Sequence, residues 1–324
     1  MIGSRLIDVS ELVDRAREGQ PRAVGRLISL VEDAHPQLRE VAAALAPFTG
    51  RARVIGLTGP PGVGKSTSTS ALLTSLRADG KKVGVLAVDP SSPFSGGALL
   101  GDRIRMREHA TDPGVFIRSM ATRGHLGGLS WAAPQALRVL DAAGFDVVLV
   151  ETVGVGQSEV DVVKLADTTV VLLAPGMGDG IQAAKAGVLE IADVFVVNKA
   201  DRDGAEATVR DLKTMVAMSR KGITGPLWRQ PILSTVASTM DGIADVVGAL
   251  AAHHDWLVAH DRLVERRHRR ARAEVEAIAL ETVRARIDGP GDEALNHLAA
   301  QVAAGSLDPY TAADHLVAGP PWWG

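Results

Sequence analysis

The chain has 324 residues, a hydrophobic fraction of 46%, a formal net charge of −3 and no cysteine. Its length suits one substantial α/β domain with helical additions, or two domains. The absence of cysteine excludes disulfides, thiolate nucleophiles and cysteine-ligated zinc or iron–sulfur sites. The small net charge supplies no global positive field toward nucleic acid or anionic lipid. The sequence shows neither an apolar signal core nor a run that could span a membrane. We therefore expect a cytoplasmic protein that binds neither nucleic acid nor membrane.

Helical periodicity characterises the first part of the chain, where apolar residues recur at three- and four-residue steps between positions 9 and 46. Two or three short helices are predicted there. Short aliphatic runs then alternate with helical segments, a pattern typical of βαβ units and a parallel sheet with buried strands. The predicted strands cover residues 54–58, 82–88, 115–117, 146–150, 169–173 and 194–197, with a last strand beginning at 232. Helices are predicted at 65–77 and 131–143.

The sequence from Asp241 onward is helical in character, and residues 256–287 contain many arginines with interleaved glutamates. Two interpretations of this stretch stay open. It is either an anion-binding or nucleic-acid-binding face, or a solvated helix with ion pairs four residues apart. The mixed signs of charge favour the solvated helix. The closing sequence PPWW at 320–323 either docks onto a protein surface or forms a disordered tail.

A phosphate-binding motif occupies residues 59–66, which read GPPGVGKS and match G-x-x-x-x-G-K-[ST] completely. The motif follows a predicted strand and opens a predicted helix, which is the context that it requires. Glycines let successive backbone N–H groups converge on one anion, and the helix N-terminus faces the same phosphates. The Lys65 ammonium belongs near the β- and γ-phosphates, and the Ser66 hydroxyl is placed to ligate Mg²⁺. We assign phosphate binding to Gly59, Gly62, Val63, Gly64, Lys65, Ser66 and Thr67.

A guanine-binding motif follows a later strand, where residues 198–201 read NKAD and fit N-K-x-D. The Asp201 carboxylate can accept bonds from the N1–H and the N2 amine of guanine, whereas adenine offers no matching pair of donors. The Lys199 stem can pack along the base, and Asn198 can brace the pocket. An alternative reading is that Asp201 merely caps a helix. The segment Ser234, Val236 and Ala237 is the expected source of a backbone N–H for guanine O6, with a plain loop as the alternative. GTP and GDP are the expected ligands.

Three acidic residues follow strands or loops that lead toward the expected γ-phosphate. Asp89 ends the second strand, Asp102 follows a Gly/Ser-rich loop, and Glu151 ends the fourth strand. Mg²⁺ favours oxygen ligands and keeps several waters, so one or two carboxylates beside Ser66 would suffice. A surface or capping role is the alternative for each of the three acids.

The phosphate motif, Asp89, Glu151 and Asn198 all lie at the ends of predicted strands, and the carboxyl ends of parallel strands meet at one edge of a sheet. The predicted fold is therefore an α/β P-loop NTPase, with a mostly parallel sheet flanked by helices and with helical extensions at both termini. We expect an N-terminal helical segment at 1–50, a P-loop GTPase domain at 51–250 and a C-terminal helical segment at 251–324.

Three longer motifs carry a family resemblance. They read DPSSPFSGGALLGDR at 89–103, ETVGVGQSE at 151–159 and APGMGD at 174–179. In these segments the chain resembles the MeaB/ArgK family of G3E-class P-loop GTPases, which are associated with methylmalonyl-CoA mutase and carry the older label LAO/AO transport kinase. The resemblance runs from the N-terminal helices to about Trp256. The chain departs from the family pattern at Gly180 and at 239–242, where it reads TMDG.

The resemblance implies further roles for particular residues. Asp89, Asp102 and Glu151 would serve Mg²⁺ and the switch region. Gly154 would lie close to the γ-phosphate, and the catalytic set would be Lys65, Glu151 and Gly154. A further switch that signals to the mutase would contain Asp179, Gln182 and Lys185. Relatives form homodimers through C-terminal helices, so a homodimer is implied here too.

No side chain stands out as a general base, so catalysis would rest on positioning water and on neutralising charge, and intrinsic turnover would be slow. The leading hypothesis is a GTPase chaperone that gates adenosylcobalamin loading and protects methylmalonyl-CoA mutase. One alternative is a kinase of a basic amino-acid (LAO/AO) transport system, which the NKAD motif disfavours. Another is a nickel-insertion GTPase using histidines such as His109 and His125. A third is a scaffold that binds nucleotide without turnover.

Overall fold

The structure is a computed structural model, and it describes residues 7–90, 109, 111–122, 132–152, 164–176, 191–219, 226–288 and 292–318. Within these ranges the strands are β1 (Arg53–Thr58), β2 (Val83–Pro90), β3 (Val115–Thr122), β4 (Val147–Thr152), β5 (Thr168–Leu173), β6 (Val194–Asn198) and β7 (Ile232–Thr235). The helices are α1 (Val9–Arg17), α2 (Pro21–Glu32), α3 (Leu38–Leu45), α4 (Lys65–Ala78), α5 (Ala132–Ala142), α6 (Ala205–Ser219), α7 (Ile243–Ala259), α8 (Arg262–Asp288), α9 (Asp292–Ala303) and α10 (Pro309–Ala318).

The seven strands form one sheet in the order β3-β2-β4-β1-β5-β6-β7, and all of their pairings are parallel. This confirms the α/β fold predicted from the alternation of strands and helices. The strands β4, β5 and β6 are buried along their whole length, which explains why they read as continuous aliphatic runs. Because β1 lies between β4 and β5, the loop that follows β1 emerges at the middle of the carboxyl edge.

The three N-terminal helices share a hydrophobic core with α5 and with one face of the sheet. Leu27 and Ile28 of α2 are fully buried, and the same cluster contains Leu86 of β2 and Val148 of β4. The periodic apolar residues of α1–α3 therefore cover one face of the sheet beside α5. The chain divides into two compact units, Met1–Val264 and Glu265–Gly324, and these helices belong to the first.

The C-terminal region, which the sequence predicts to be helical from Asp241 onward, consists of separate helices. Helix α7 ends at Ala259 and α8 begins at Arg262, with Asp261 at a φ of +58° between them. A left-handed residue ends an α-helix, and aspartate adopts this conformation more readily than most residues. Two shorter helices, α9 and α10, follow α8. No helix in the described ranges is both long and apolar enough to cross a lipid bilayer.

An ion pair ties the far end of α4 to the start of β3. Arg77 donates to both carboxylate oxygens of Asp112, each at 2.8 Å. Asp112 also accepts from the backbone N–H of Gly114 at 2.8 Å. The hydrogen bond from Arg77, and secondarily that from the Gly114 N–H, lower the pKa of Asp112 below its ordinary value. The helix that begins at the phosphate motif is thus fixed at both ends.

Candidate functional site

The phosphate motif forms a tight loop between β1 and α4, packed against neighbouring strands. Gly59, Gly62 and Gly64 have φ values of +146°, +80° and +95°. A Cβ at Gly59 would lie 2.2 Å from the Leu172 carbonyl oxygen, and one at Gly64 would lie 2.4 Å from Asn198 Nδ2. Glycine is therefore required at both positions by backbone conformation and by space.

The side chain of Lys65 folds back over this loop from the first residue of α4. Its ammonium donates to the carbonyl oxygens of Gly59 at 2.6 Å and Pro60 at 3.0 Å, and the residue is buried. The positive charge is thereby held at the mouth of the loop, where the first backbone N–H groups of α4 are also directed. The buried Val63 and the exposed Thr67 complete the predicted phosphate set on either side of these groups.

A hydroxyl and a carboxylate meet beside the loop. The Ser66 hydroxyl donates to Glu151 Oε1 at 2.6 Å, and both residues are buried. Glu151 pairs with Leu57 of β1 and with Ala87 of β2, so it lies at the carboxyl edge of the sheet. Two adjacent oxygen ligands of this kind fit the preference of Mg²⁺ for hard donors.

The other acids predicted for the metal are less fully described. Asp89 lies in β2 opposite Ala121 of β3, at the same edge of the sheet, and its side chain is outside the described part of the structure. Asp102 lies outside the described residues. The same holds for the predicted switch residues Gly154, Asp179, Gln182 and Lys185.

The buried amide of Asn198 connects three parts of the site. Its Nδ2 donates to the carbonyl oxygen of Val63 in the phosphate loop at 2.8 Å. Its Oδ1 accepts from the Thr235 hydroxyl at 3.2 Å and from the Ala237 backbone N–H at 3.1 Å. The ends of β6 and β7 are therefore held in a fixed position relative to the phosphate loop.

Lys199 extends from the end of β6 to the phosphate loop, where its ammonium donates a hydrogen bond to the Gly62 carbonyl oxygen at 2.6 Å. It is in the left-handed region, at a φ of +58°. Asp201 follows in an exposed turn, and its carboxylate makes no hydrogen bond or ion pair with any described residue. Lys199 and Asp201 thus both belong to the segment that directly follows β6.

The loop after β7 lies next to the end of β6, to which it is bonded through Asn198. Ser234 pairs with Val197 of β6, and the Val236 N–H donates to the Asp241 carbonyl oxygen at 3.0 Å. The Ala237 N–H is bonded to Asn198 Oδ1, as described above. The Val236 and Ala237 N–H groups are thus bonded within the protein, and a backbone donor to guanine O6 from this segment stays a prediction.

Thr235 contributes to the site but is absent from the sequence-based assignment. Its hydroxyl bonds to Asn198, and the two residues face each other across β6 and β7. The pairing register of these strands, which sequence periodicity leaves open, is what brings Thr235 to Asn198.

Comparison with known proteins identifies a family. The family model described as methylmalonyl-CoA mutase-associated GTPase MeaB matches residues 24–291. A Pyrococcus abyssi protein named as a candidate GTPase is 46% identical over 310 residues, covering 95% of this chain and 96% of its own length. GTPase ArgK of Escherichia coli is 36% identical over 303 residues, with 90% and 86% covered. A crystal structure of an LAO/AO transport system kinase superposes with a TM-score of 0.66 at 28% identity, covering 97% of this chain and 98% of that one. These matches confirm the resemblance carried by the sequence motifs.

We predict that Gly59→Ala destabilises the protein more than Gly80→Ala. Both glycines have positive φ, but a Cβ at Gly80 meets nothing within 4 Å, whereas one at Gly59 meets a backbone oxygen. Gly80→Ala should cost about 1–2 kcal/mol through backbone conformation alone. Gly59→Ala should cost roughly 3 kcal/mol or more, because the sheet must also shift. Urea denaturation measures both, and equal costs would contradict the packing described for the phosphate loop.

Proposed function

The chain belongs to the family of methylmalonyl-CoA mutase-associated GTPases, and from that premise we propose that it is a slow GTPase. We infer that it binds GTP and GDP with Mg²⁺ and uses the bound nucleotide to control methylmalonyl-CoA mutase. The observation that carries the nucleotide part is the Asn198 amide, which joins the phosphate loop to the loop after β7. Because Asn198 links the proposed phosphate site to the proposed base site, one nucleotide could occupy both sites at once.

The phosphate side of the proposal rests on charge and on backbone N–H groups. Lys65 and the start of α4 would neutralise the β- and γ-phosphates, with Ser66 and Glu151 holding Mg²⁺ and with Asp89 and Asp102 as the further expected carboxylates. A bound Mg²⁺ would supply electrostatic stabilisation of charge on the transferring phosphoryl group. Lys65 would exchange its bonds to the Gly59 and Pro60 carbonyl oxygens for bonds to phosphate oxygens. The Gly154 backbone would lie beside the γ-phosphate. Catalysis would consist of positioning the attacking water and stabilising charge on the phosphoryl group, and we therefore expect slow GTP hydrolysis.

The base side of the proposal rests on hydrogen-bond complementarity. Asp201 offers a carboxylate that is exposed to solvent and makes no bond with the described residues, and guanine offers two adjacent donors. Lys199 spans from β6 to the Gly62 carbonyl oxygen, so its stem would lie along one face of the base. A carboxylate in this position would accept from guanine and would find no such pair of donors on adenine.

The partner side of the proposal rests on the family description. We infer that GTP-dependent changes, passed through the segment of Asp179, Gln182 and Lys185, gate adenosylcobalamin loading and protect the mutase. We also propose a homodimer. Within the second compact unit, α8 exposes Val275 and Ile278 by 67% and 49%. These residues are three apart and share one face of the helix, which a second copy would cover.

We predict that Asp201→Asn lowers affinity for GTP by about a hundredfold or more, because the amide presents donors to the donors of guanine. Affinity for a xanthine nucleotide, which carries an acceptor in place of the amine, should fall far less. Competition binding against a fluorescent GDP analogue measures both. Asp203→Asn, which changes an exposed carboxylate two residues further along, is the matched control and should bind GTP like the wild type. Equal GTP affinity in the wild type and Asp201→Asn would rule out the base pocket.

We predict that methylmalonyl-CoA mutase from the same source accelerates GTP hydrolysis by the purified protein. Phosphate release is measured with GTP or ATP, with and without the mutase. The Lys65→Ala variant is included to identify turnover at the phosphate loop. Stimulation with GTP alone, absent in Lys65→Ala, supports both the guanine pocket and the partner. Slow GTP hydrolysis that the mutase leaves unchanged would contradict the partner and leave the GTPase activity standing.

A further inference from the structure

We propose that Met240 packs against the face of the guanine base opposite Lys199 and so completes the base pocket. This inference rests on the proposed guanine site and adds to it a residue of the TMDG segment, where the chain departs from the family pattern. Met240 has a φ of +67°, in the left-handed region that glycine, asparagine and aspartate occupy far more readily than methionine.

The turn does not by itself need a methionine at this position. The residue is 39% exposed, so part of its side chain stays accessible to a ligand. The backbone carbonyl accepts only a long bond, 3.3 Å from the Ile243 N–H. A glycine would make the same turn without strain. A methionine at a position where glycine would be free of strain points to a functional contact made by its side chain.

The turn that carries Met240 is held firmly in place. Val236 and Asp241 form an antiparallel bridge, and the Thr239 hydroxyl donates to the Val236 carbonyl oxygen at 3.1 Å and to Asp241 Oδ2 at 2.6 Å. A Cβ at Gly242 would lie 2.3 Å from the Ser234 carbonyl oxygen, so the exit of the turn is packed against β7. Met240 therefore has little freedom to relax its backbone.

The turn also lies beside the expected base. It begins at Val236, and the next residue, Ala237, is bonded to Asn198 at the end of β6. Lys199 approaches from the β6 side. Of the exposed residues in the turn, Ser238 is short and polar, and the Thr239 hydroxyl is already bonded within the turn. Met240 is the exposed apolar side chain that this turn provides.

The chemistry of methionine suits a purine. The thioether is polarisable and flexible, and it packs favourably against aromatic rings. With the aliphatic stem of Lys199 on one face and Met240 on the other, the base would be enclosed between two apolar groups while Asp201 bonds its edge. Met240 would then contribute affinity for the base and none for the phosphates.

The test compares Met240→Gly with Ala34→Gly and Met240→Leu. Ala34, at a φ of +47° after α2, has the same kind of backbone and lies in the N-terminal helical region. Titration calorimetry with GDP and with inorganic pyrophosphate measures affinity for the whole nucleotide and for its phosphates. We expect Met240→Gly to lose about three- to tenfold in GDP affinity, the size of a sulfur–aromatic contact, and to bind pyrophosphate as the wild type does. Met240→Leu should lose less than about twofold, since it keeps the apolar body, and Ala34→Gly should lose nothing.

These measurements distinguish failure of the Met240 contact from failure of the proposed guanine site. Thermal unfolding shows whether Met240→Gly is folded, and relief of strain should raise its midpoint. A wild type that prefers GDP to ADP, with GDP affinity unchanged in Met240→Gly, overturns the role of Met240 alone. Equal losses for GDP and pyrophosphate would also overturn it, because the effect would then be a general distortion of the site. A wild type that binds ADP as tightly as GDP overturns the guanine pocket and this inference together.

Discussion

The geometry of the whole site depends on one buried amide. Asn198 donates to the phosphate loop at Val63 and accepts from Thr235 and Ala237, so three segments that are distant in sequence are fixed relative to one another. A buried amide with its donor and acceptor both bonded is costly to disturb, because each lost bond leaves a polar group unsatisfied. The phosphate loop and the segments proposed to hold the base are thus fixed relative to each other before any nucleotide binds. Such preorganisation favours a ligand whose base and phosphates are separated by the matching span.

The second constraint is the strand order of the parallel sheet. Because β1 lies at the centre with β4 on one side and β5 and β6 on the other, its loop is flanked by Glu151 and by Asn198. The Ser66–Glu151 bond lies on the first side, and the segments proposed to bind the base lie on the second. The same topology leaves the amino ends of the strands, and the helices α1–α3 that cover one face, free of the nucleotide chemistry. Those helices contribute stability by burying residues such as Leu27 and Ile28.

Much of this fold follows from the sequence, because buried parallel strands are continuous aliphatic runs and the phosphate motif fixes the position of β1. The parallel sheet and the family are confirmed, while the roles of the individual site residues stay predictions. Three features were beyond sequence reasoning for physical reasons. The role of Thr235 depends on strand register. The helix break at Asp261 depends on a left-handed residue other than glycine. The strain at Met240 depends on a turn that is closed by the bond between Thr239 and Asp241. Local patterns specify which elements form, whereas these features arise from how the elements meet.

The most direct test of the central claim is the selectivity of the wild-type protein between GDP and ADP, measured by titration calorimetry in the presence of Mg²⁺. The two nucleotides share their phosphates and ribose, so the difference in affinity reports on the base pocket alone. The account predicts that GDP binds at least about a hundredfold more tightly than ADP, because only guanine satisfies the Asp201 carboxylate. Equal affinities would contradict the account and would reduce the site to a phosphate cradle without base recognition.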